Sequence, residues 1–418
     1  MGGSTSWIVC GLGFASLVLV IPAHAAPKPV PRDAKVWAAA QAARPGQLDL
    51  LKDAVNIDSG TGDVEGGRKV AALLAPRLKA LGMSVEMIPA EAPGLPENLV
   101  ATLKGTGKGR ILMIGHLDTV FEAGTAARRP FRIDGDRALG PGIVDEKGGV
   151  VEGLYALQIL ADLGFKDFAT ITYLIETSEE RGSPGTRKLI DRLVREHDVE
   201  LNLEPGDSPD VVTVWRKGSA TFSVAVKGRA AHAGVAPQDG RNAAVELIHQ
   251  MGALQTFPTS GPGLTVNLTV LKAGVRHNII PEDGLAQINV RVLDKADFET
   301  VESALKARAA TPSIPDTTVT VTRQSAFPPL PDNPQTQALA ARAQAIYAGL
   351  GRKLTTGGNG GASESALAAE AGTPALDGLG PVGGGTHTDG EYLDLTTLTP
   401  RLYLLVKLIM ELGAKPPP

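Results

Sequence analysis

The sequence has little cysteine and little net charge. Cys10 is the only cysteine among the 418 residues, and it lies within an N-terminal apolar run. Once this run is removed, the chain can form no disulfide and has no thiol that could act as a ligand or a nucleophile. The formal net charge of −4 lacks the basic excess of a nucleic-acid-binding protein, so we expect no nucleic-acid partner.

The N-terminal segment also lacks Lys and Arg in residues 1–6, although an apolar run follows at residues 7–21. The run is short for a membrane span, and Ala-His-Ala at 23–25 has the small residues of a signal-peptidase site. We therefore predict a signal peptide at residues 1–25 and a periplasmic or secreted location. Because signal peptides usually begin with basic residues, a membrane anchor or a misassigned start is kept as an alternative.

The length and the 43% hydrophobic content predict a globular protein with two domains. Continuous apolar runs at 110–114 and 169–175 indicate buried strands, and a helical stripe at 148–163 lies between them. Strand, helix and strand in this order indicate an α/β sheet. A first α/β domain is therefore predicted at residues 26–215.

The pattern changes near residue 216. Apolar residues alternate with polar ones at 222–226 and 288–292, which indicates strands with one exposed face. Two helical stretches accompany these strands, so we predict a small inserted α+β domain at residues 216–324. The α/β character then returns, and residues 325–418 are predicted to complete the first domain.

Acidic and imidazole side chains follow strand ends or lie in glycine-rich loops at five places along the chain. Ligands of open α/β sheets gather outside the carboxyl ends of the strands, so these side chains are expected to converge. Several negative charges in one place need cations, and two Zn²⁺ ions would satisfy nitrogen and oxygen ligands. The candidates are His116 in GHLDTV, Asp145 in GPGIVDEKGG, Glu179 and Glu180 in EERGSPGT, Glu204 in LNLEPGDS, and His387 in GGGTHTDGEY.

Each motif has a simpler interpretation when it is taken alone. His116 and Asp118 are two residues apart and point the same way on a strand, but such a pair is weak evidence for a ligand. Asp145 precedes a helix and could serve as its N-cap. Glu179 and Glu180 could belong to a solvated acidic loop.

Taken together and in order, the motifs resemble those of the co-catalytic zinc exopeptidases and aminoacylases. The matching segments are GHLDTV, GPGIVDEKGG, EERGSPGT, EP, GRAAHAG, NIIP and GGGTHTDGEY, and they extend over roughly residues 35–413. Within this family the sequence is most similar to the bacterial glutamate carboxypeptidases. The resemblance implies a zinc-exopeptidase-like catalytic domain with a mixed sheet, and an inserted ferredoxin-like domain that acts as a lid and dimerisation domain.

The resemblance also implies a set of metal ligands. It pairs His116 with Glu204 at one zinc ion and Glu180 with His387 at the other, and Asp145 bridges both ions. Two Zn²⁺ per subunit are expected, and Co²⁺ or Mn²⁺ can substitute at sites of this kind.

Catalytic and substrate-binding roles follow from the same resemblance. Glu179 is implied as the general base, and Asp118 is implied to orient the metal-binding imidazole. His232 would stabilise the oxyanion from the partner subunit, which implies a homodimer through the inserted domain. Asn278 and Arg291 would hold the substrate carboxylate, the arginine by bidentate pairing. The alternatives are a buried strand-end histidine at 232 and an ordinary surface arginine at 291.

The remaining histidines of the mature chain match no ligand position of the family. His277 adjoins Asn278 in the inserted domain, and we expect His197 and His249 to be ordinary surface residues. None of the three is therefore expected to bind metal or substrate.

The sequence thus predicts a secreted di-zinc metallohydrolase that cleaves an amide bond beside a free α-carboxylate on a small molecule or peptide. A carboxypeptidase that releases a C-terminal amino acid such as glutamate is the first interpretation. An N-acyl amino acid deacylase with the same machinery is the second. A non-catalytic amino-acid or peptide-binding protein is a remote third, because such a protein would be expected to have lost Glu179 or a ligand.

Overall fold

The computed structural model describes residues 28–324 and 327–417, so the predicted signal peptide lies outside the described residues. The helices are α1 Ala34–Val55, α2 Val64–Ala80, α3 Thr125–Arg128, α4 Lys147–Asp162, α5 Arg187–Glu196, α6 Ala243–Met251, α7 Ala296–Ala309, α8 Pro334–Ala348, α9 Ser365–Glu370 and α10 Leu398–Ala414. Short 3-10 turns occur at Glu179–Arg181, Pro237–Asp239 and Gly252–Thr256.

The strands are β1 Ser84–Ile88, β2 Asn98–Lys104, β3 Arg110–His116, β4 Arg132–Asp134, β5 Arg137–Leu139, β6 Thr170–Glu176, β7 Val199–Asn202, β8 Val211–Arg216, β9 Gly218–Lys227, β10 Ala231–His232, β11 Thr265–Ala273, β12 Ile279–Ile280, β13 Asp283–Val292, β14 Thr318–Gln324, β15 Thr355–Asn359, β16 Ala375–Leu376, β17 Gly383–Gly384 and β18 Tyr392–Asp394.

A six-stranded mixed sheet forms the centre of the catalytic domain. Its order is β1-β2-β6-β3-β7-β16, with β3 parallel to both β6 and β7 and with β1 and β2 antiparallel to their neighbours. Strand β3 is buried at every position after its first residue, because helices cover both faces of the sheet. The parallel strands end at one edge, and the residues that follow them therefore meet there.

Helix α4 covers one face of this sheet with a stripe of apolar side chains. Its apolar stripe at Val151, Leu154, Leu157 and Leu160 is buried against the sheet and against α1 and α10. Gly164 has a φ of 63°, a left-handed conformation that ends the helix. Helices α5 and α9 cover the opposite face. The predicted helical stripe and its glycine stop are both present.

The inserted domain has a separate four-stranded antiparallel sheet in the order β11-β13-β9-β14. Its element order, β9-α6-β11-β13-α7-β14, is that of a ferredoxin-like unit. Alternate residues of β9, among them Phe222 and Val224, pack with α6 and α7 in a second core. The predicted fold class is therefore confirmed, with an α/β domain and a smaller inserted α+β domain. The limits at 216 and 324 stay a prediction.

In the part of the chain that the structure describes, no helix has the length and apolarity needed to span a membrane.

Candidate metal centre and active site

The first cluster of ligand atoms forms at the end of β3. His116 is its last residue, and the ring is fully buried. Nε2 of His116 lies 3.2 Å from Asp145 Oδ1 and 3.4 Å from Glu204 Oε1. On the other side of the ring, Nδ1 donates to the backbone oxygen of Asp118 at 3.0 Å. This bond places a hydrogen on Nδ1, so in the neutral ring the lone pair of Nε2 faces the carboxylates of Asp145 and Glu204.

The second cluster forms where the glycine-rich segment near the C-terminus meets the first cluster. Nε2 of His387 lies 3.2 Å from Asp145 Oδ2 and 3.2 Å from Glu180 Oε2. The two oxygens of Asp145 therefore face two different imidazoles. In residues 28–324 and 327–417, each trio has one ligand atom per residue within 4.8 Å of the others.

Several ligand atoms of these clusters are orphaned. Nε2 of His116 and Oε1 of Glu180 are buried, and within the described residues they have no hydrogen-bond partner. A lone pair that faces carboxylates in a buried site is unfavourable unless a cation lies between them. Imidazole nitrogen and carboxylate oxygen are ligands that zinc takes in proteins. The residues present therefore fit two divalent cations.

Asp145 does not cap a helix. Helix α4 begins at Lys147, its N-cap residue is Glu146, and no side chain makes a cap hydrogen bond. The carboxylate of Asp145 is directed at the two imidazoles instead. The N-cap interpretation of Asp145 is therefore wrong.

Asp118 ties the two adjacent glutamates to the end of β3. Its carboxylate accepts the backbone N–H of Glu179 at 3.1 Å and that of Glu180 at 3.3 Å. Thr61 Oγ1 donates to the same carboxylate at 2.6 Å. Asp118 touches the ring of His116 chiefly through its backbone oxygen, since Oδ1 is 3.5 Å from Nδ1. The carboxylate thus positions the glutamate pair, a contact that sequence reasoning did not foresee.

Glu179 lies beside the clusters in a nearly water-free setting. The residue is 8% exposed, and its Oε2 is 4.0 Å from His116 Nε2. Burial raises the pKa of Glu179 well above its ordinary value, and the nearby carboxylates of Glu364 and Glu204 raise it further. A carboxylate with a raised pKa is a better proton acceptor near neutral pH. The interpretation as a solvated acidic loop is therefore wrong for Glu179.

Arg216 is a buried residue of this site that no pattern in the sequence predicts. It is the last residue of β8, and its Nη2 lies 3.2 Å from Glu204 Oε2. The same guanidinium pairs with Asp377 through Nη2 at 2.6 Å and Nε at 2.7 Å. Asp377 is 161 residues further along the chain, so no local spacing could have indicated the pair.

A cavity of about 1210 Å³ opens beside the two clusters, and both domains line it. The open face of the inserted sheet contributes Arg291 and several neutral polar side chains. Nε of Arg291 donates to Asn289 Oδ1 at 3.1 Å and Nη1 donates to the backbone oxygen of Gly360 at 3.4 Å, and among the described residues no carboxylate lies within ion-pair distance of the guanidinium. Arg291 is half-buried in the cavity wall, so its interpretation as an ordinary surface residue is wrong. The other inserted-domain residues that line the cavity are Ser219, Thr221, Gln287, Asn289 and Gln324.

His232 and Asn278 are not brought to the clusters. Both side chains are exposed, and neither lines the cavity. Nδ1 of His232 accepts the backbone N–H groups of Gly234 and Val235 at 3.2 and 3.1 Å. The interpretation of His232 as a buried strand-end histidine is therefore wrong.

His197 does not lie at the surface as expected. It is buried, with Nδ1 2.7 Å from the backbone oxygen of Leu193 and Nε2 2.8 Å from Thr172 Oγ1. The ring thus joins the end of α5 to β6. The surface expectation for His197 is wrong because one of its two partners, Thr172, belongs to a strand 25 residues earlier in the chain.

The fold and the paired clusters together define a metallohydrolase. The model of peptidase family M20/M25/M40 matches residues 112–411, and the chain belongs to this family of metallopeptidases. The predicted resemblance and the predicted enzyme class are confirmed.

Two relatives at the sequence level have names that describe different activities. Carboxypeptidase G2 of Pseudomonas sp. (strain RS-16) is 36% identical over 386 residues, which are 92% of this chain and 93% of that protein. Succinyl-diaminopimelate desuccinylase of Methylobacterium nodulans is 31% identical over 392 residues, 88% of this chain and 96% of that protein. Both likenesses extend over nearly the whole chain.

Solved structures with low identity have the same fold. The M20 family metallo-carboxypeptidase Sso-CP2 of Sulfolobus solfataricus superposes with a TM-score of 0.71 at 16% identity, covering 88% of this chain and 99% of that one. The dipeptidase Dug1p of Saccharomyces cerevisiae gives 0.73 at 14% identity, covering 91% and 98%. These likenesses show the fold alone.

Proposed function

We propose that this metallopeptidase is a carboxypeptidase, which cleaves an amide bond beside a free α-carboxylate and releases a C-terminal amino acid such as glutamate. The observation that carries the proposal is Arg291, a half-buried cation in the wall of the cavity that contains Glu179 and both ligand clusters. Guanidinium binds carboxylate in a bidentate and directional way. The likeness to carboxypeptidase G2 supports the same activity.

The proposed metal ligands are His116 and Glu204 at one site and Glu180 and His387 at the other, with Asp145 common to both. Two Zn²⁺ ions are proposed, with Co²⁺ or Mn²⁺ as substitutes. When bound, such ions act as Lewis acids toward the scissile carbonyl. The orphaned ligand atoms of the clusters support this assignment.

Glu179 is proposed as the general base. It takes a proton from the attacking water and later gives it to the leaving amine. Asp118 holds the backbone of Glu179, so the carboxylate is presented at a fixed place beside the clusters. Arg291 holds the free carboxylate of the substrate and thereby fixes which amide bond lies next to Glu179.

An N-acyl amino acid deacylase is the second candidate, supported by the likeness to the desuccinylase. It would use the same residues on a substrate whose acyl group is not an amino acid.

We also propose that two copies associate through the inserted domain and that His232 and Asn278 act on the partner's substrate. Neither residue lines the cavity of its own chain. Of the twelve exposed large apolar side chains in the described residues, eight belong to this domain, which favours a partner there. The eight are Val235, Val245, Ile248, Leu268, Leu271, Val275, Ile279 and Leu293.

Mixing two inactive variants tests this arrangement. Glu179→Gln and His232→Ala homodimers are each expected to be inactive. If His232 acts across the dimer, subunit exchange creates one intact site per heterodimer, and activity returns. Activity that stays absent although sedimentation shows exchanged dimers would contradict the proposal.

A periplasmic or secreted location is proposed from the signal-peptide pattern at residues 1–25. N-terminal sequencing of the protein from fractionated cells tests it, because cleavage after residue 25 leaves Ala26 as the first residue.

The main experiment measures free amino acid released from dipeptides, N-acyl amino acids and aroyl-glutamates by the zinc-loaded protein. Release by the wild type and not by Glu179→Gln supports the hydrolase, and the preferred substrate separates carboxypeptidase from deacylase. A wild type that binds zinc and releases nothing from any of them would favour the binding-protein alternative.

A further inference from the structure

Glu391 is a buried carboxylate that lies four residues after His387. It accepts three backbone N–H groups from one short segment. The donors are Gly142 at 3.0 Å, Val144 at 3.0 Å and Asp145 at 3.1 Å. They are 246 to 249 residues away in sequence, so the bonds join two distant parts of the chain.

Segment 142–145 has little regular structure of its own to hold it. Gly142 has a φ of 67°, and helix α4 begins only at Lys147. Hydrogen bonds from backbone N–H groups to a carboxylate are charge-assisted and stronger than neutral ones. Three of them on one side chain fix both the place and the direction of the segment that carries Asp145.

The two parts joined by Glu391 each carry a proposed metal ligand. The Asp145 carboxylate faces His387 at 3.2 Å and also faces the imidazole of His116. A shift of segment 142–145 relative to the His387 loop would therefore separate ligand atoms in one cluster and misplace a shared ligand in the other.

We propose that Glu391 is a positioning residue that keeps Asp145 and His387 in register for metal binding. This inference rests on the metal ligands of the proposed function. Replacing a residue that orients a metal ligand typically lowers the metal affinity by about 10- to 100-fold. A purely structural role would instead lower the stability of the metal-free protein and leave the metal affinity unchanged.

The test uses the full-length mature protein with Glu391→Gln, Glu391→Asp and Asp394→Asn. Gln keeps the size but loses one acceptor oxygen and the charge, whereas Asp keeps the charge on a shorter side chain. Asp394 is the matched control, because within residues 28–324 and 327–417 its carboxylate accepts only from Thr396 nearby. Zinc affinity is measured by competition with a chromophoric chelator, and the Co²⁺ form is measured by visible absorption.

We expect Glu391→Gln to lower the affinity for at least one of the two ions by about 10- to 100-fold and to change the visible spectrum of the Co²⁺ form. Glu391→Asp should recover part of the affinity, and Asp394→Asn should match the wild type. Affinities of Glu391→Gln within twofold of the wild type for both ions would overturn the inference. If circular dichroism shows that Glu391→Gln does not fold, Glu391→Asp is used instead. Wild-type affinity of Glu391→Asp for both ions would then overturn the inference.

The readout separates this inference from the proposed function. A wild type that binds two ions but hydrolyses no substrate removes the proposed activity and leaves the role of Glu391 intact. If the wild type binds no zinc, cobalt or manganese, the proposed assignment of metal ligands is wrong. The proposed role of Glu391 is then overturned as well.

Discussion

The catalytic domain and the inserted domain bury their charged side chains to very different extents. Among the described residues of the inserted domain, Glu246 is the buried carboxylate, and it is satisfied by Gln250, Ser313 and the backbone of Ile314. The catalytic domain buries many more. They are Asp118, Glu146, Glu152, Glu176, Glu179, Glu200, Glu204, Asp210, Glu364, Asp377 and Glu391.

The difference follows from how each sheet is covered. The catalytic sheet has helices on both faces and a large core, so carboxyl groups inside it are removed from water, and burial raises the pKa of Glu152, Glu176 and Glu200 well above the ordinary value. The inserted sheet is covered on one face, and its open face lines the cavity with neutral polar groups and Arg291. One domain therefore supplies the clusters of candidate metal ligands, and the other supplies polar side chains and Arg291 in the wall of the cavity.

Removal of the metal should affect the catalytic domain alone. We expect a chelator to abolish hydrolysis. It should also lower the free energy of unfolding by about 2.7 kcal/mol per site, compared with the protein in free metal at 100 times the dissociation constant. Hydrogen exchange should increase around Asp145, Glu204 and His387 and stay constant in strands β9 and β13. Equal loss of protection in both domains would contradict the comparison.

The junction between the domains should be sensitive to the loss of its buried cation. Arg216→Gln leaves Asp377 and Glu204 without their partner, so we expect a loss of about 3–5 kcal/mol in the free energy of unfolding. Urea denaturation measures it. Arg323→Gln is the control, because Arg323 is partly exposed and pairs with Glu299 and Glu302 near the surface, so it should contribute about 1 kcal/mol or less.

Matched core truncations should separate the two domains. Leu157 in α4 and Leu305 in α7 are both buried, each in its own core, so each Leu→Ala change should cost about 2–5 kcal/mol. We expect Leu305→Ala to increase hydrogen exchange in the inserted domain without changing zinc affinity. Leu157→Ala should increase hydrogen exchange in the catalytic domain. If both variants instead increased exchange in the same residues, the two cores would be coupled.

Surface ion pairs should matter little in either domain. Hydrogen bonds with Arg68 lower the pKa of Glu97 to about 2, below the ordinary value of 4.5. The pair therefore stabilises the fold above pH 4.5, and this contribution is lost as the pH falls toward 2. Because Arg68 is exposed and Glu97 is only half-buried, Glu97→Gln should cost less than about 1 kcal/mol at pH 7 and still less at pH 2. Denaturation at the two pH values measures it.

Local patterns predicted the elements that carry the site. Continuous apolar residues identified β3, and the helical stripe identified α4. The order of the motifs identified the family, although each motif alone allowed a structural interpretation. These signals are local or sequential, and a sequence displays them directly.

The contacts that hold the site together were not predictable in this way. Arg216 meets Asp377, and Glu391 meets segment 142–145, across separations of 161 residues and more. His197 was misjudged for the same reason, since Thr172 belongs to a neighbouring strand. Such partners are set by the packing of the sheet, which no spacing in the sequence reveals.

Asp145 belongs to both clusters of candidate ligands, so cations bound at the two proposed sites would be thermodynamically coupled. The first ion to bind would orient this side chain and neutralise part of its charge, and the second ion would then meet a changed ligand. By linkage, the factor by which the first ion alters the affinity for the second equals the factor in the reverse direction. A metal titration of this protein therefore reports an interaction free energy as well as two intrinsic affinities, and the filling of either site carries information about the other.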